Sequence, residues 1–211
     1  MKIGLKAAAA GMVLALAGGV ASAGLVVDQV GDADGFGIGV TTPGDSFFAL
    51  DVLDFGSPDA DGTDELLDTT AVGHGYAFSG TVLSASLTLF HGGWGAYGES
   101  RVLFNGVEIG ALAVGEVGDD NFARSDTFDL MQLLDLANNP LRLTGNDEVT
   151  VVSLPFDDGV DFIFDDGVLD FSLLRIEYRD TNGTPVPEPT TWALTALALA
   201  GLVASRRRQA R

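Results

Sequence analysis

The central part of this 211-residue chain predicts an all-β fold, a β-sandwich of jelly-roll type. Three observations carry that expectation. Apolar residues recur with period two more often than 3.6. Glycine, 28 residues in all, clusters with Asp and Asn between short apolar runs, where turns need it. No stretch repeats at a fixed period, which sets aside solenoids and propellers. Many short strands joined by such turns pack best as two layers around one core.

The elements follow in chain order. Phe48, Leu50 and Val52 predict a strand running towards Phe55. Leu83, Ala85, Leu87 and Leu89 alternate with Ser84, Ser86 and Thr88, so residues 82–90 read as a half-buried strand. Residues 101–104 and 107–110 flank Asn105-Gly106, a pair that tolerates positive φ at both central turn positions, and so predict a β-hairpin. Within 127–136 the pattern is ambiguous. Leu130, Leu133, Leu134 and Ala137 fit a short helix before Asn138-Asn139-Pro140. Val149, Val151 and Ser153 mark a strand that ends at Pro155. Leu169, Phe171 and Leu173 alternate in one phase, then Leu174, Ile176 and Tyr178 in the other, and a β-bulge at Leu173-Leu174 would reconcile them.

The two ends have a different character, and they divide the chain into 1–23, 24–184 and 185–211. Residues 1–23 carry Lys2 and Lys6, then an uncharged apolar run, then Ala21-Ser22-Ala23. A basic start, a short apolar stretch and small residues at an A-x-A site describe a secretory signal peptide, cut by signal peptidase after Ala23. At the other end Val186-Pro187-Glu188-Pro189 precedes an uncharged run from Thr190 to Ser205 and then Arg206-Arg207-Arg208. Those 16 residues make a helix of about 24 Å, slightly short of the roughly 30 Å of a bilayer core and only modestly hydrophobic, which suits a temporary anchor. Trp192 would sit at one interface, and the arginines would hold the other end on the cytoplasmic side. The two prolines keep the preceding chain extended and open to an enzyme.

This three-part tail resembles the PEP-CTERM sorting signal of exopolysaccharide-producing Gram-negative bacteria, also known as the ice-binding protein C-terminal domain. The resemblance covers residues 186–208. It implies that a membrane-embedded exosortase recognises Pro187-Glu188-Pro189 and removes the helix and the arginines. It therefore implies export, transient residence in the inner membrane, and release to the cell surface or extracellular matrix. The order of segments in 24–184, with its LFNGVEIG hairpin and LDFSLLRIEY strand, also resembles ectodomains of such proteins. Those look like galactose-binding or carbohydrate-binding jelly rolls, and the likeness assigns no ligand residues. Ice binding itself has no support, because no regular array of threonines is present.

Charge bounds what the exported part can do. Residues 24–184 hold five arginines, no lysine and 29 carboxylates, a net charge of −24. Nucleic acid is excluded as a partner, since phosphate binding needs clustered Lys and Arg. With no cysteine in the chain, disulfides and thiolate metal sites are excluded as well. A charge this large makes the compact state repel itself, and calcium is the simplest counter-ion. Asp32-Ala33-Asp34-Gly35 and Asp59-Ala60-Asp61-Gly62-Thr63-Asp64-Glu65 space carboxylates two apart around a glycine, as a hard cation with six to eight oxygen ligands would use them. The 59–65 loop is the favoured place, and Asp157-Asp158-Gly159 and Asp165-Asp166-Gly167 could add ligands. Solvated acidic turns are the plainer alternative. For polysaccharide, Trp94 and Tyr97 stand among glycines at 91–98, where exposed rings could stack on sugars. The alternative is that both cap the core.

His74 and His91 read as ordinary loop or core residues, and no GxSxG, HExxH or phosphate loop accompanies them. Arg101 and Arg175 fall in strands beside acidic neighbours and read as ion-paired structural residues. The Asn182-Gly183-Thr184 sequon carries little weight. Together these features predict a non-enzymatic exported envelope or exopolysaccharide-associated protein, structural or glycan-binding, with calcium as its expected ion. The second reading is a secreted glycan-active hydrolase using paired carboxylates.

Overall fold

A computed structural model describes residues 23–55, 58–95, 98–117, 120–134, 142–153, 156–157, 162–163 and 167–180. The chain divides into a unit of Gly24–Tyr178 and a second unit of the two ends, Met1–Ala23 and Arg179–Arg211. The predicted signal segment with Ala21, and the tail with Val186, Pro187, Glu188, Pro189 and Arg206 to Arg208, lie outside the described residues. Among the described residues no helix is long and apolar enough to cross a membrane.

Twelve strands, two short α-helices and a π-type turn at Gly35–Gly39 are the regular elements among the described residues. The strands are β1 (Ala23–Val30), β2 (Ser46–Phe47), β3 (Thr69–Gly75), β4 (Thr81–Gly92), β5 (Ser100–Phe104), β6 (Val107–Ala111), β7 (Glu116–Val117), β8 (Asp120–Asp129), β9 (Asn146–Ser153), β10 (Phe156–Asp157), β11 (Phe162–Ile163) and β12 (Val168–Arg179). The helices are α1 (Ala49–Phe55) and α2 (Met131–Leu134). One sheet runs β1-β12-β4-β8-β2 with β7 beside β8; a second runs β3-β9-β5-β6; β10 and β11 pair separately. The all-β expectation holds.

Period-two alternation places the core. Leu87 and Leu89 of β4 and Leu174 and Ile176 of β12 meet Val72, Val102, Phe104, Val149 and Val151 of the second sheet in one buried cluster. Each such side chain contributes about 1.5–3 kcal/mol by leaving water. The opposite face of β4 and β12 is covered by a second cluster. There Phe90 stacks on Phe171 at 5.6 Å and on Phe36 at 5.4 Å, with Phe47 and Val52 beside them.

The strand at 82–90 and the strand ending before Pro155 appear as β4 and β9. The hairpin also holds: Asn105 and Gly106 have φ of 51° and 75°, and Phe104 pairs with Val107 across them. In the ambiguous 127–136 stretch, β8 continues to Asp129 and one turn of helix, α2, follows, while residues 135–136 and Ala137 lie outside the described residues.

Two expectations fail. In place of the strand predicted through Phe48, Leu50 and Val52, the chain forms α1 from Ala49 onward, with Phe48, Leu50 and Leu53 66 %, 68 % and 64 % exposed and Val52 buried. The cause is the partner strand. Ser46 and Phe47 pair with Phe122 and Asn121, β8 begins at Asp120, and the chain beyond has no ladder to join. A helix satisfies those backbone groups internally. The phase change at Leu173-Leu174 is also absent, because β12 alternates in one phase with Asp170, Ser172, Leu174 and Ile176 buried. Two polar residues occupy inward positions, so the apolar pattern misreported the face.

Candidate functional site: an acidic junction beside two histidine bridges

The turn after β1 supplies Asp32 and Asp34, the loop before β3 supplies Asp64, and β12 supplies Asp170 near its start. One carboxylate oxygen from each lies within 4.8 Å of the others. Asp32 and Asp34 are exposed, whereas Asp64 is 2 % and Asp170 1 % exposed.

Backbone groups aim these carboxylates. Asp32 Oδ1 accepts from the Asp34 N–H at 3.1 Å, and Asp34 Oδ1 from the Gly37 N–H at 2.6 Å. Asp170 Oδ1 accepts from the Gly35 and Phe36 N–H groups at 3.0 and 3.3 Å. Phe36 is seated in the second core cluster, so the turn carrying Asp34 is locked to β12 from both sides. The Asp64 N–H donates to Leu169 O at 2.8 Å, which brings its side chain under β12.

The electrostatics are one-sided. Burial, then the charges of Asp170, Asp34, Asp32 and Asp59, push the Asp64 carboxyl up to about 8. Burial likewise raises Asp170, against the lowering effect of the Gly35 and Phe36 N–H groups. Four carboxyl groups therefore share this junction without a full set of charges at neutral pH unless a cation joins them.

The two loops read separately from the sequence thus form a single group. Asp32, Asp34 and Asp64 converge, whereas Asp59, Asp61 and Glu65 are not among the four clustered carboxylates. Asp59 and Asp61 accept from Thr63 Oγ1 at 3.4 and 2.9 Å, and Asp61 Oδ2 accepts from the Gly31 N–H at 3.2 Å, so they brace the loops. Glu65 is exposed outside the cluster. Asp170 escaped sequence reasoning because Leu169 and Phe171 on either side made its position read as outward. Asp158, Gly159, Asp165 and Asp166 lie outside the described residues, as does the side chain of Asp157.

Both histidines are buried and bonded to carboxylates. His74 on β3 places Nδ1 2.8 Å from Asp28 Oδ2 on β1 and Nε2 2.9 Å from Ser172 Oγ on β12. Asp28 Oδ2 also accepts from the Gly75 N–H at 3.2 Å. These are the residue types and connections of a Ser-His-Asp triad. Ser172 is 0 % exposed, however, so no substrate reaches its hydroxyl. The chain of bonds joins β3 of one sheet to β1 and β12 of the other, and it acts as a polar tie between them. His91 on β4 meets Asp126 Oδ2 on β8 at 2.9 Å. Burial lowers His91 more than Asp126 raises it, so it is neutral with its proton on Nε2. Arg101 contacts Glu108 at 3.3 Å and Glu99 at 3.8 Å, as its acidic neighbours implied.

Trp94 does not offer a face to sugar. It is 0 % exposed, 5.9 Å from the His91 ring, and its indole lies so close to Gly167 that a Cβ there would come within 2.0 Å of Cδ2. Gly167 makes room for the indole in the core, while the neighbouring Gly92 and Gly95 lie against Phe47 and Val114, so this glycine-rich stretch serves close packing. Tyr97 lies outside the described residues.

Residues 185–208 match the PEP-CTERM protein-sorting motif. No curated protein matches the chain. Among solved structures, the chain is similar to the CBM36-1 domain of a multidomain xylanase from the hindgut metagenome of Trinervitermes trinervoides, with 15 % identity, TM-score 0.32, and coverage of 72 % of this chain and 96 % of that one. It is similar to dimeric latent PorU from Porphyromonas gingivalis, with 14 % identity, TM-score 0.38, and coverage of 77 % and 14 %. It is also similar to BpGH86A, a β-porphyranase of glycoside hydrolase family 86 from Bacteroides plebeius, with 14 % identity, TM-score 0.34, and coverage of 76 % and 22 %. Scores this low carry no argument about function.

Proposed function

We propose that this chain, which carries a PEP-CTERM protein-sorting motif at residues 185–208, is a non-enzymatic component of the cell surface or exopolysaccharide matrix of a Gram-negative bacterium. The motif is the single observation that carries the reading. It implies an exosortase as processing partner, with the chain held in the inner membrane by its tail until Pro187-Glu188-Pro189 is recognised. Signal peptidase acts at the other end, after Ala23. The jelly-roll-like domain between them is the delivered part.

The residues with catalytic potential in that domain support a structural role. Both histidines of the chain are committed to internal bonds, with Asp28 and Ser172 for His74 and with Asp126 for His91. Acidic pairs for glycoside hydrolysis need about 5–5.5 Å or 6.5–9.5 Å between two carboxyls flanking a substrate. The cluster of Asp32, Asp34, Asp64 and Asp170 converges on one point instead. Its strong negative charge suits a hydrated, soluble matrix component.

The test is fractionation of a host with and without its exosortase. The account expects the intact host to carry the domain on the surface or in the medium, and the exosortase-deficient host to retain it in the inner membrane. Identical distribution in both strains would sink the sorting reading. Release of reducing sugar from the host's polysaccharide, lost on a single Asp→Asn change, would instead establish the hydrolase.

A further inference from the structure

We propose that Asp32, Asp34, Asp64 and Asp170 form a calcium site that ties the turn after β1, the loop before β3 and the start of β12 into one unit. The convergence of four carboxylates within 4.8 Å is the first observation. Ligands on opposite sides of a calcium ion are about twice 2.3–2.6 Å apart, so the group has the span of one coordination sphere. The second observation is independent of it. Asp64 Oδ1 is buried and has no hydrogen-bond partner, in a side chain 2 % exposed that belongs to this same group. A buried carboxylate oxygen left bare is strongly unfavourable, and a cation at the centre of the cluster would satisfy it.

The donor set selects the ion. Every contributed atom is a carboxylate oxygen, which suits a hard cation and not zinc or copper. Magnesium keeps most of its waters and is held by one or two carboxylates, whereas calcium takes six to eight oxygens from flexible loops. Four carboxylates leave two to four positions for water or backbone carbonyls. Asp32, Asp34 and Asp170 each commit Oδ1 to backbone N–H groups, which fixes their orientation as outer contacts do at metal sites. His74 and His91 are bonded to Asp28 and Asp126, and Arg101 is paired with Glu108, so none of these three contacts the four clustered carboxylates.

The site crosslinks positions far apart in sequence. Asp32 follows directly on the edge strand β1, whose sheet neighbour is β12, and Asp170 stands on β12. Calcium would therefore hold β1 in its place, while the ion-free domain would carry mutual repulsion at the same junction.

The full-length chain in mild detergent, stripped with EDTA, is titrated calorimetrically with calcium chloride and, separately, magnesium chloride. One calcium per chain is expected, with a thermal midpoint raised by about 5–10 °C at a hundredfold excess over Kd, and a much smaller response to magnesium. Asp64→Asn removes the buried carboxyl that the other three crowd when no ion is bound, so it should raise the calcium-free midpoint and abolish the calcium response. Misfolding would not produce that pair of opposite effects. Glu177→Gln, an exposed change elsewhere on β12, should leave the response intact. If Asp64→Asn fails to fold, the exposed Asp32→Asn should still weaken calcium by about tenfold or more. Equal responses to the two ions, or undiminished calcium binding by Asp64→Asn or Asp32→Asn, would overturn the proposal.

Discussion

Replacing Ser172 by Ala separates a structural tie from a catalytic triad. The hydroxyl is buried and 2.9 Å from His74 Nε2, and His74 Nδ1 is 2.8 Å from Asp28 Oδ2. Ser172→Ala leaves a buried ring nitrogen without a partner, which costs about 1–3 kcal/mol. For a chain of this size, each kcal/mol moves the midpoint by about 2–4 °C, so the melt should fall by roughly 2–12 °C. Asp28→Asn should cost less, because an amide oxygen can still accept from Nδ1 and the Asp28 side chain is 27 % exposed. His74→Ala should cost most, since it removes both bonds and opens a cavity between the sheets. Thermal melts by circular dichroism, made side by side in one buffer, read out this order. The reasoning is refuted if Ser172→Ala leaves the midpoint unchanged. It is refuted more strongly if that variant keeps its stability and loses an ester or glycan hydrolysis that the unaltered chain performs.

Two further expectations concern the tryptophan and the acid response. The chain has two tryptophans, and removal of the tail with Trp192 leaves Trp94 as the sole emitter. Its emission should be blue-shifted, weakly quenched by acrylamide and unchanged by added host polysaccharide, and a polysaccharide-dependent shift would restore the stacking platform. Burial raises Asp147, but hydrogen bonds from Thr144, Tyr76 and Asn105 outweigh it and hold the carboxyl low. A carboxylate lowered in the folded state contributes stability above its unfolded value of about 3.9, and that contribution is lost as pH falls through the folded value. Asp64 has the opposite sign. Raised to about 8, it favours the folded state at acid pH and loses that contribution as pH rises from about 4 to 8. The calcium-free domain should therefore be most stable near pH 4–5, and calcium should flatten the decline towards pH 8. Melts across pH 3–9 with EDTA and with calcium check both signs.

What was legible in the sequence depended on how local the cause was. The Asn105-Gly106 hairpin and the alternation of β4 rest on neighbouring residues, and both appear as expected. The end of β2 depends on where β8 begins, some 70 residues later, so the apolar spacing of Phe48, Leu50 and Val52 could not reveal a helix. The candidate cation group was half legible for the same reason. Asp32, Asp34 and Asp64 announced themselves by acidic loop spacing, but no local signal joins the two loops, and Asp170 hides in an apolar run. The Asp28-His74-Ser172 tie draws on three strands from two sheets and had no sequence signature. Trp94 misled because a glycine-rich setting serves close core packing as well as ligand access. The tail was readable outright, because a sorting signal is recognised as linear sequence.

The most direct test of the central claim is the intact mass and terminal sequence of the mature protein recovered from its host. The account predicts a chain beginning at Gly24 and lacking Trp192 and Arg206 to Arg208. A mature protein that still contains Trp192 and the three arginines would contradict processing by an exosortase and make the tail a permanent anchor.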